Sequence, residues 1–460
     1  MRPVLHIMRP RAYRPGVPPS SSPLSAPPIP DPPDASAKRA ALGVLVVCML
    51  ISLVSRGIGE TFAIFLLPIS REFDVDRAAL TGIYSVYMLG LGFVSPVAGM
   101  IFDRLGARVC YGLGLGLYGL ACVLAASATS LWQLYLLVGL GSAIGASMIG
   151  MVPASSLVSR WFQARLPTAM GILSASLGTG IFLFAPIAQS LIDRLGWRGA
   201  YSTMGWGIFV AMAIVLVLPW GRIAAGSPQV MQARKAAAAA AGATEWTIPR
   251  AMRTSVFWAL FAVMFFTSLS TYAVMVQVVA YLVESGVPPL HAAAIFGAVG
   301  MVSIVGMIGA GVLAERIGEV KVAMMSYGAT IAGTAALAGV SQSPTLLLIG
   351  AFVLLFGTMQ GSRGPLVATL SARNFAGGRQ SGIYGAVLFG MGTGGALGSW
   401  GSGALYDLTG HYLAGFALSA AGAACGLALF LIVPGLGGRG IGRRARSSTE
   451  RGHGVTRTDR

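Results

Sequence analysis

The chain has 460 residues, of which 55% are hydrophobic and only 10% are charged. A soluble domain carries about 25% charged residues, so this composition excludes an ordinary soluble protein and indicates a membrane protein. The formal charge of +17 would suit a nucleic-acid binder. The basic residues lie in tails and in short loops between apolar runs, however, which excludes that class as well.

A polar segment comes before the first apolar run. Residues 1–37 are crowded with proline and serine, which cannot build a core, so we expect a disordered cytoplasmic tail there. The segment lacks the apolar core of a signal peptide, and Met8 is a second possible start.

Twelve apolar runs follow, each close to the roughly 20 residues that a helix needs to cross a bilayer. Residues 221–253 form the longest polar connection, a predicted cytoplasmic loop, and divide the runs into a first half over 38–220 and a second half over 254–435. A basic cytoplasmic tail covers 436–460. The pattern predicts an all-α membrane protein of two six-helix halves, with spans near 41–69, 79–102, 109–127, 130–158, 166–190, 199–220, 255–283, 290–314, 321–339, 343–371, 380–406 and 411–434.

The lysines and arginines predict the orientation of these spans. If the N-terminus is cytoplasmic, 26 of the 32 basic residues lie in cytoplasmic segments. This bias follows the positive-inside rule and predicts that both termini are cytoplasmic. We expect the membrane to be a bacterial-type inner (plasma) membrane. The outer loops hold only Arg71, Arg77, Arg194 and Arg198.

The two halves repeat each other in sequence. AGMIFDRLGARV at 98–109 matches AGVLAERIGEVK at 310–321, and SLVSRWF at 156–162 matches TLSARNF at 369–375. Each pair falls at the same place in its half. Parallel six-helix halves with the substrate site between them are an established transporter architecture.

The repeated loop carries a family resemblance. Gly99, Asp103, Arg104, Gly106 and Arg108 are spaced like the signature loop of the major facilitator superfamily, which the chain resembles over residues 40–435. The resemblance implies that fold, and it implies conformational gating for the charged residues of both copies. A purely topological role for a basic loop is the alternative. The residues assigned to gating are Asp103, Arg104, Arg108, Glu315 and Arg316.

A narrower resemblance concerns the substrate. Trp161, Phe162, Arg165 and Gly171 resemble the loop and fifth span of monocarboxylate and oxalate/formate carriers. This implies a small organic anion, a mono- or dicarboxylate, as substrate. Those carriers have charged residues in the eighth span, whereas residues 291–312 hold none apart from His291 at the outer end. An anion site in this chain must therefore use other side chains.

Arg56 and Arg363 lie inside apolar spans, where a cation is costly unless it faces a partner or a water-filled cavity. The resemblance implies that spans one and ten line the central cavity, so that the two arginines face each other there. A guanidinium fits a carboxylate with two hydrogen bonds, which makes both residues candidates for substrate binding. For Arg56 the alternative is a structural ion pair with Glu60, one turn later on the same helix face.

Glu60 has two interpretations as well. A carboxyl group within the membrane can carry a proton, and Glu60 could then couple transport to the proton gradient. A permanent ion pair with Arg56 is the alternative. Four other polar side chains could bind substrate or could form interhelical hydrogen bonds, namely Tyr272, Gln277, Gln360 and Tyr384.

Other classes of chemistry lack their motifs. The sequence contains no phosphate-binding loop, no metal-ligand spacing and no nucleophile with its base, so we expect neither an enzyme nor a cofactor nor a metal. The cysteines Cys48, Cys110, Cys122 and Cys425 fit apolar packing. We expect a monomeric secondary carrier in the lipid bilayer, which moves an organic anion by alternating access with protons or by exchange. A drug/proton antiporter of the same fold and a non-transporting membrane sensor are the alternatives.

Overall fold

The computed structural model describes residues 35–162, 166–228, 230, 232, 247–342, 345–375 and 380–433. Within these ranges the regular elements are helices, and no strand occurs, as the all-α fold class predicts. The first helix begins at Ala35, so the last three residues of the predicted disordered tail are helical. The rest of that tail, the middle of the central loop and the basic C-terminal tail lie outside the described residues.

The first half is built from long apolar helices with short connections. It contains α1 (Ala35–Glu60), α2 (Phe62–Phe73), α3 (Arg77–Ala125), α4 (Leu131–Leu134), a π-helical segment (Tyr135–Gly141), α5 (Ser142–Ile149), α6 (Met151–Val158), α7 (Leu166–Val217) and α8 (Trp220–Ala225).

The second half has the same general construction, with its tenth predicted span divided into short helices. It contains α9 (Ile248–Met252), α10 (Ser255–Met275), α11 (Val278–Glu284), α12 (Pro289–Ile317), α13 (Glu319–Ala338), a 3₁₀ turn (Gly339–Ser341), α14 (Leu346–Phe352), a π-helical segment (Val353–Gly357), α15 (Thr358–Gln360), α16 (Arg363–Asn374), α17 (Gln380–Thr409) and α18 (Leu413–Ile432).

Two helices are too long for a single span, and each is bent at one glycine. Helix α3 has 49 residues and turns at Gly106, where φ is 83°, and α7 has 52 residues and turns at Gly196, where φ is 70°. Glycine adopts these left-handed conformations at no steric cost. Eight helical stretches in the described part of the chain are long and apolar enough to cross a membrane, and two of them contain these bends. Divided at these bends, the eight stretches correspond to ten spans. The predicted count of twelve would also need the shorter apolar stretch Leu346–Gln360 and helix α17 as spans.

The outer surface of the bundle is apolar, as a lipid-facing surface must be. Met301, Val305 and Ile308 form a stripe at helical spacing along α12, with exposed fractions of 53%, 70% and 61%. Trp206, Val210 and Ile214 form a similar stripe on α7. Stripes of this kind on a soluble monomer would be an aggregation hazard, whereas in a bilayer they face acyl chains.

The two halves meet along two seams of small residues. In the seam between α3 and α17, the Ser85 and Ser399 hydroxyls lie 2.6 Å apart, and the rings of Phe93 and Phe389 are 4.7 Å apart. In the seam between α7 and α12, a Cβ added at Gly300 would lie 2.7 Å from the carbonyl oxygen of Gly178. Small residues allow this close approach of helix backbones. The position of these seams brings residues of α1, α3 and α10 together at the centre.

Candidate functional site

A charged pair lies at the C-terminal end of α1. Arg56 and Glu60 are one turn apart, and Arg56 Nη1 lies 3.9 Å from Glu60 Oε1. The Glu60 side chain is 5% exposed, whereas that of Arg56 is 24% exposed. The spacing of four residues places both side chains on one helix face, as the sequence predicts. The structure therefore brings the candidate cation and the candidate proton carrier into one site.

Two tyrosines from different halves donate hydrogen bonds to Glu60. Tyr84 Oη in α3 donates to Oε2 at 2.9 Å, and Tyr272 Oη in α10 donates to Oε1 at 3.1 Å. The rings of Tyr84 and Tyr272 are 5.6 Å apart, and those of Tyr84 and Tyr87 are 5.5 Å apart. We call Arg56, Glu60, Tyr84, Tyr87 and Tyr272 the central cluster. Because Tyr272 comes from the second half, this cluster crosses the boundary between the halves.

The arrangement leaves Arg56 able to bind an acceptor. A distance of 3.9 Å is at the limit of an ion pair, and within the described ranges the Arg56 guanidinium has no hydrogen bond to another side chain. Glu60, by contrast, is held by both tyrosines. The cluster therefore offers a partly exposed guanidinium beside a buried carboxyl group, which suits the binding of an anion together with a proton.

A small cavity adjoins the cluster within the first half. It has a volume of about 20 Å³ and is lined by Tyr84, Tyr87, Tyr118, Tyr201 and Ser142, among others. A space of this size holds about one water molecule, which needs two to four polar partners. The tyrosine and serine hydroxyls can supply them. A water at this position would be next to Tyr84, which is a direct partner of Glu60.

Arg363 is not part of this cluster, which corrects the expectation that it faces Arg56. Its Nε donates to Ser326 Oγ at 2.9 Å, and its Nη2 donates to the Ser326 carbonyl at 2.9 Å and to Thr330 Oγ1. The guanidinium also stacks on Tyr327, 4.1 Å from the ring centre. These partners all lie on α13, so the side chain points into the second half. Its role in substrate binding stays a prediction.

The other predicted substrate ligands are distributed unevenly. Tyr272 belongs to the central cluster, whereas Gln277 lies buried between α10 and α11 and donates to Ser402 Oγ at 3.0 Å. Gln360, at the end of α15, has a buried side-chain oxygen that accepts no hydrogen bond from the described residues. Tyr384 is half-buried on α17. The structure therefore brings only Tyr272 of these four against the charged pair.

The residues assigned to gating lie at one end of the bundle, which we call the motif end. Asp103, Arg104 and Arg108 are exposed around the bend at Gly106, and Arg316 is exposed near the end of α12. In the described part of the chain none of them forms an ion pair in this conformation. The side chain of Glu315 lies outside the described set. Their gating role stays a prediction.

Sequence reasoning missed Tyr84 and Tyr87, which complete the cluster. They are three residues apart in the second span and therefore share a helix face. A pair of tyrosines at this spacing within an apolar span is a recognisable signal. The two tyrosines belong to the site because they lie next to Glu60, which is on a different helix. The pair alone therefore did not indicate a site.

Comparison with known proteins places this architecture in a family. A profile of the Major Facilitator Superfamily matches residues 45–399. Monocarboxylate transporter 13 from Bos taurus is 27% identical over 379 residues, which cover 82% of this chain and 85% of the relative. This similarity supports the predicted resemblance to the monocarboxylate branch.

Solved structures share the fold at low sequence identity. A bacterial homolog of the human lysosomal transporter Spinster, in an inward-facing and unoccupied conformation, aligns with a TM-score of 0.62 and 16% identity over 87% of this chain and 95% of that one. Nucleoside transporter NupG aligns with a TM-score of 0.66 and 14% identity over 84% of this chain and 100% of that one. The chain therefore belongs to the Major Facilitator Superfamily and is a multi-pass membrane transporter, not an enzyme.

Proposed function

We propose that this transporter moves small monocarboxylates by alternating access, with Arg56 as the substrate-binding cation and Glu60 as a proton-carrying acid. The observation that carries the proposal is the position of this pair. It lies at the boundary between the halves, and Glu60 is contacted from both of them. The similarity to a protein named monocarboxylate transporter supports the substrate class.

Charge balance explains why a proton would accompany each carboxylate. With Glu60 ionised, Arg56 and Glu60 together are neutral, and a bound monocarboxylate would add an uncompensated negative charge. Burial of an unpaired charge is strongly unfavourable. A proton on Glu60 restores neutrality and leaves Arg56 to pair with the substrate carboxylate. A dicarboxylate would leave one negative charge uncompensated even with Glu60 protonated. The proposal therefore favours monocarboxylates over dicarboxylates.

The tyrosines offer a physical connection between the proton and the conformation. A hydrogen bond from a tyrosine to an ionised carboxylate is stronger than one to a neutral carboxyl group. Protonation of Glu60 would therefore weaken its bond to Tyr272, which belongs to the other half. A water in the adjacent cavity could pass a proton to Tyr84, which is hydrogen-bonded to Glu60.

Counterflow in proteoliposomes tests the substrate class directly. The purified transporter is reconstituted into liposomes, which are loaded in turn with an unlabelled monocarboxylate, dicarboxylate, amino acid or cationic drug. The uptake of the same compound in labelled form is then measured. We expect accumulation with small monocarboxylates and acceleration by an inward proton gradient. Uptake of cationic drugs alone would contradict the proposal.

One observation favours the drug/proton antiporter as a second candidate. Glu60 lies among three tyrosines, and an acid surrounded by aromatic rings can bind an organic cation through charge and cation–π contacts. In that case Glu60 would exchange a proton for the cation. The same liposomes distinguish the two candidates, because an outward proton gradient would drive drug uptake by exchange, whereas an inward proton gradient would drive monocarboxylate uptake.

A further inference from the structure

A second cluster of charged residues lies at the end of the bundle opposite the motif end. Arg77, the first residue of α3, is buried to 7% exposure and forms an ion pair with Glu284, the last residue of α11. Arg77 belongs to the first half and Glu284 to the second. The pair therefore joins the halves about two helical turns from Tyr84 of the central cluster.

Asp407 adds an unusual contact between the same halves. Its carboxylate accepts hydrogen bonds from the backbone N–H groups of Arg77 and Ala78, at 2.9 Å and 2.7 Å. The first N–H groups of a helix lack partners within the helix, and they attract negative charge. A cap of this kind normally comes from the residue just before the helix. Here an acid on α17, in the other half, caps α3.

Two tyrosines of the second half complete the cluster. The Arg77 guanidinium lies 5.1 Å from the ring centre of Tyr406 and 6.0 Å from that of Tyr412. Tyr412 Oη donates to Glu284 Oε2 at 2.7 Å, which holds the carboxylate in place. The groups that surround the start of α3 thus come from α11, α17 and the turn before α18.

These contacts cannot be kept if the halves separate at this end. The helix cap, the ion pair and the aromatic contacts all run from the start of α3 to the second half, so they must break together. At the motif end Asp103, Arg104, Arg108 and Arg316 are exposed, and none of them forms an ion pair with another described residue. The conformation is therefore one in which the end around Arg77 is closed.

We propose that Arg77, Glu284 and Asp407 form a latch that closes this end of the pathway, and that release of the latch controls how often the end opens. The inference rests on the proposed alternating-access function. It assigns a role to Arg77, which the sequence marks only as one of four basic residues in the outer loops. The helix cap by Asp407 makes the latch sensitive to the distance between the halves, because a hydrogen bond is lost within about one ångström of separation.

A distance measurement across this end tests the latch without substrate. Spin labels are attached to cysteines in Arg194→Cys and His291→Cys, two exposed positions in different halves, after the exposed Cys425 is replaced by serine. Pulsed electron paramagnetic resonance then reports the distance distribution in the purified transporter. In Asp407→Asn and in Glu284→Gln we expect the ratio of the open to the closed population to rise roughly tenfold, as expected for the loss of one charge-assisted bond.

Glu72→Gln is the matched control. Glu72 is an exposed acid that pairs with Arg198 at the same end but within the first half. We expect its distance distribution to match that of the parent. Unchanged distributions in both latch variants would overturn the proposal, and so would an equal shift in the control. Because the measurement requires no substrate, a latch response without monocarboxylate transport would contradict the proposed function alone.

Discussion

At the scale of single residues, Glu60 is the side chain where the two halves converge. It accepts from Tyr84 in the first half and from Tyr272 in the second, and it lies beside Arg56. A carboxylate with these partners can be neutralised by a proton or by the arginine. If a proton neutralises Glu60, the site couples transport to protons. If Arg56 neutralises it, the two residues form a permanent ion pair.

Glu60→Gln separates these two interpretations. Glutamine has the shape of a protonated glutamate, with one accepting oxygen and one donating nitrogen, but it cannot release a proton. We expect gradient-driven uptake to be lost and exchange of substrate to be retained, as measured with labelled monocarboxylate in proteoliposomes. Equal loss of both activities would contradict the coupling role. Glu72→Gln, away from the central cluster, should leave both activities unchanged.

Substitution of the two intramembrane arginines should have different consequences. Arg56→Ala removes the partly exposed guanidinium of the central cluster. A hydrogen bond to a charged group contributes about 1.5–3 kcal/mol to the free energy of binding. We therefore expect Arg56→Ala to weaken substrate affinity by roughly 10- to 150-fold. Arg363→Ala removes the contacts with Ser326, Thr330 and Tyr327, so we expect mainly a lower melting temperature.

Substrate affinity is measured from exchange kinetics, and the melting temperature from thermal unfolding, for both Arg56→Ala and Arg363→Ala. If Arg363→Ala weakened substrate affinity more than Arg56→Ala, the anion site would involve the second half instead. Arg363 also has one buried guanidinium nitrogen, Nη1, that donates to no acceptor in the part of the chain that the structure describes. That nitrogen is the place where a substrate carboxylate would have to bind in such a case.

At the scale of the helices, close packing between the halves depends on glycine. A Cβ added at Gly178 on α7 would overlap the carbonyl oxygen of Gly300 on α12. The clash involves backbone, which cannot move aside as a flexible side chain can. Helices that must separate and meet again in each transport cycle need such a contact to close without obstruction.

Gly178→Ala should therefore slow transport by preventing full closure of this seam. We expect an initial uptake rate reduced roughly tenfold at equal protein amount, the factor that corresponds to about 1.4 kcal/mol. Gly207→Ala on the same helix is the control, because a Cβ at that position has no neighbour within 4 Å. Equal rates in both variants would show that the seam tolerates a methyl group.

At the scale of the whole molecule, the apolar exterior and the two charged ends determine how it lies in a membrane. The motif end contains Asp103, Arg104 and Arg108, and the latch end contains Arg77 and Asp407. From the positive-inside rule we expect the motif end to lie in the cytoplasm. The latch would then face the outside, and the conformation would be closed on that side.

Labelling of single cysteines in intact cells checks this orientation. A membrane-impermeant maleimide should modify His291→Cys at the latch end without treatment of the cells. Arg104→Cys at the motif end should react only after the membrane is permeabilised. The opposite pattern would reverse the topology, and the latch would then close the cytoplasmic end. Cys425 must be replaced in both variants because it is exposed.

Much of this protein follows from local properties of the sequence. The apolar runs predict the helices because a bilayer requires each backbone group to be bonded within its own segment. The repeated loops predict the two halves, and the four-residue spacing of Arg56 and Glu60 predicts their contact, because helix geometry alone places them on one face. The superfamily follows from the same motifs.

Other features depended on how the helices are rotated and packed, which the sequence does not encode locally. Arg363 contacts α13 and not Arg56, because the rotation of α16 directs its side chain into the second half. Tyr272 reaches Glu60, and Asp407 reaches the start of α3, across sequence separations of 212 and 330 residues. Such partners are chosen by the approach of the two halves, and that approach is decided only in the tertiary structure.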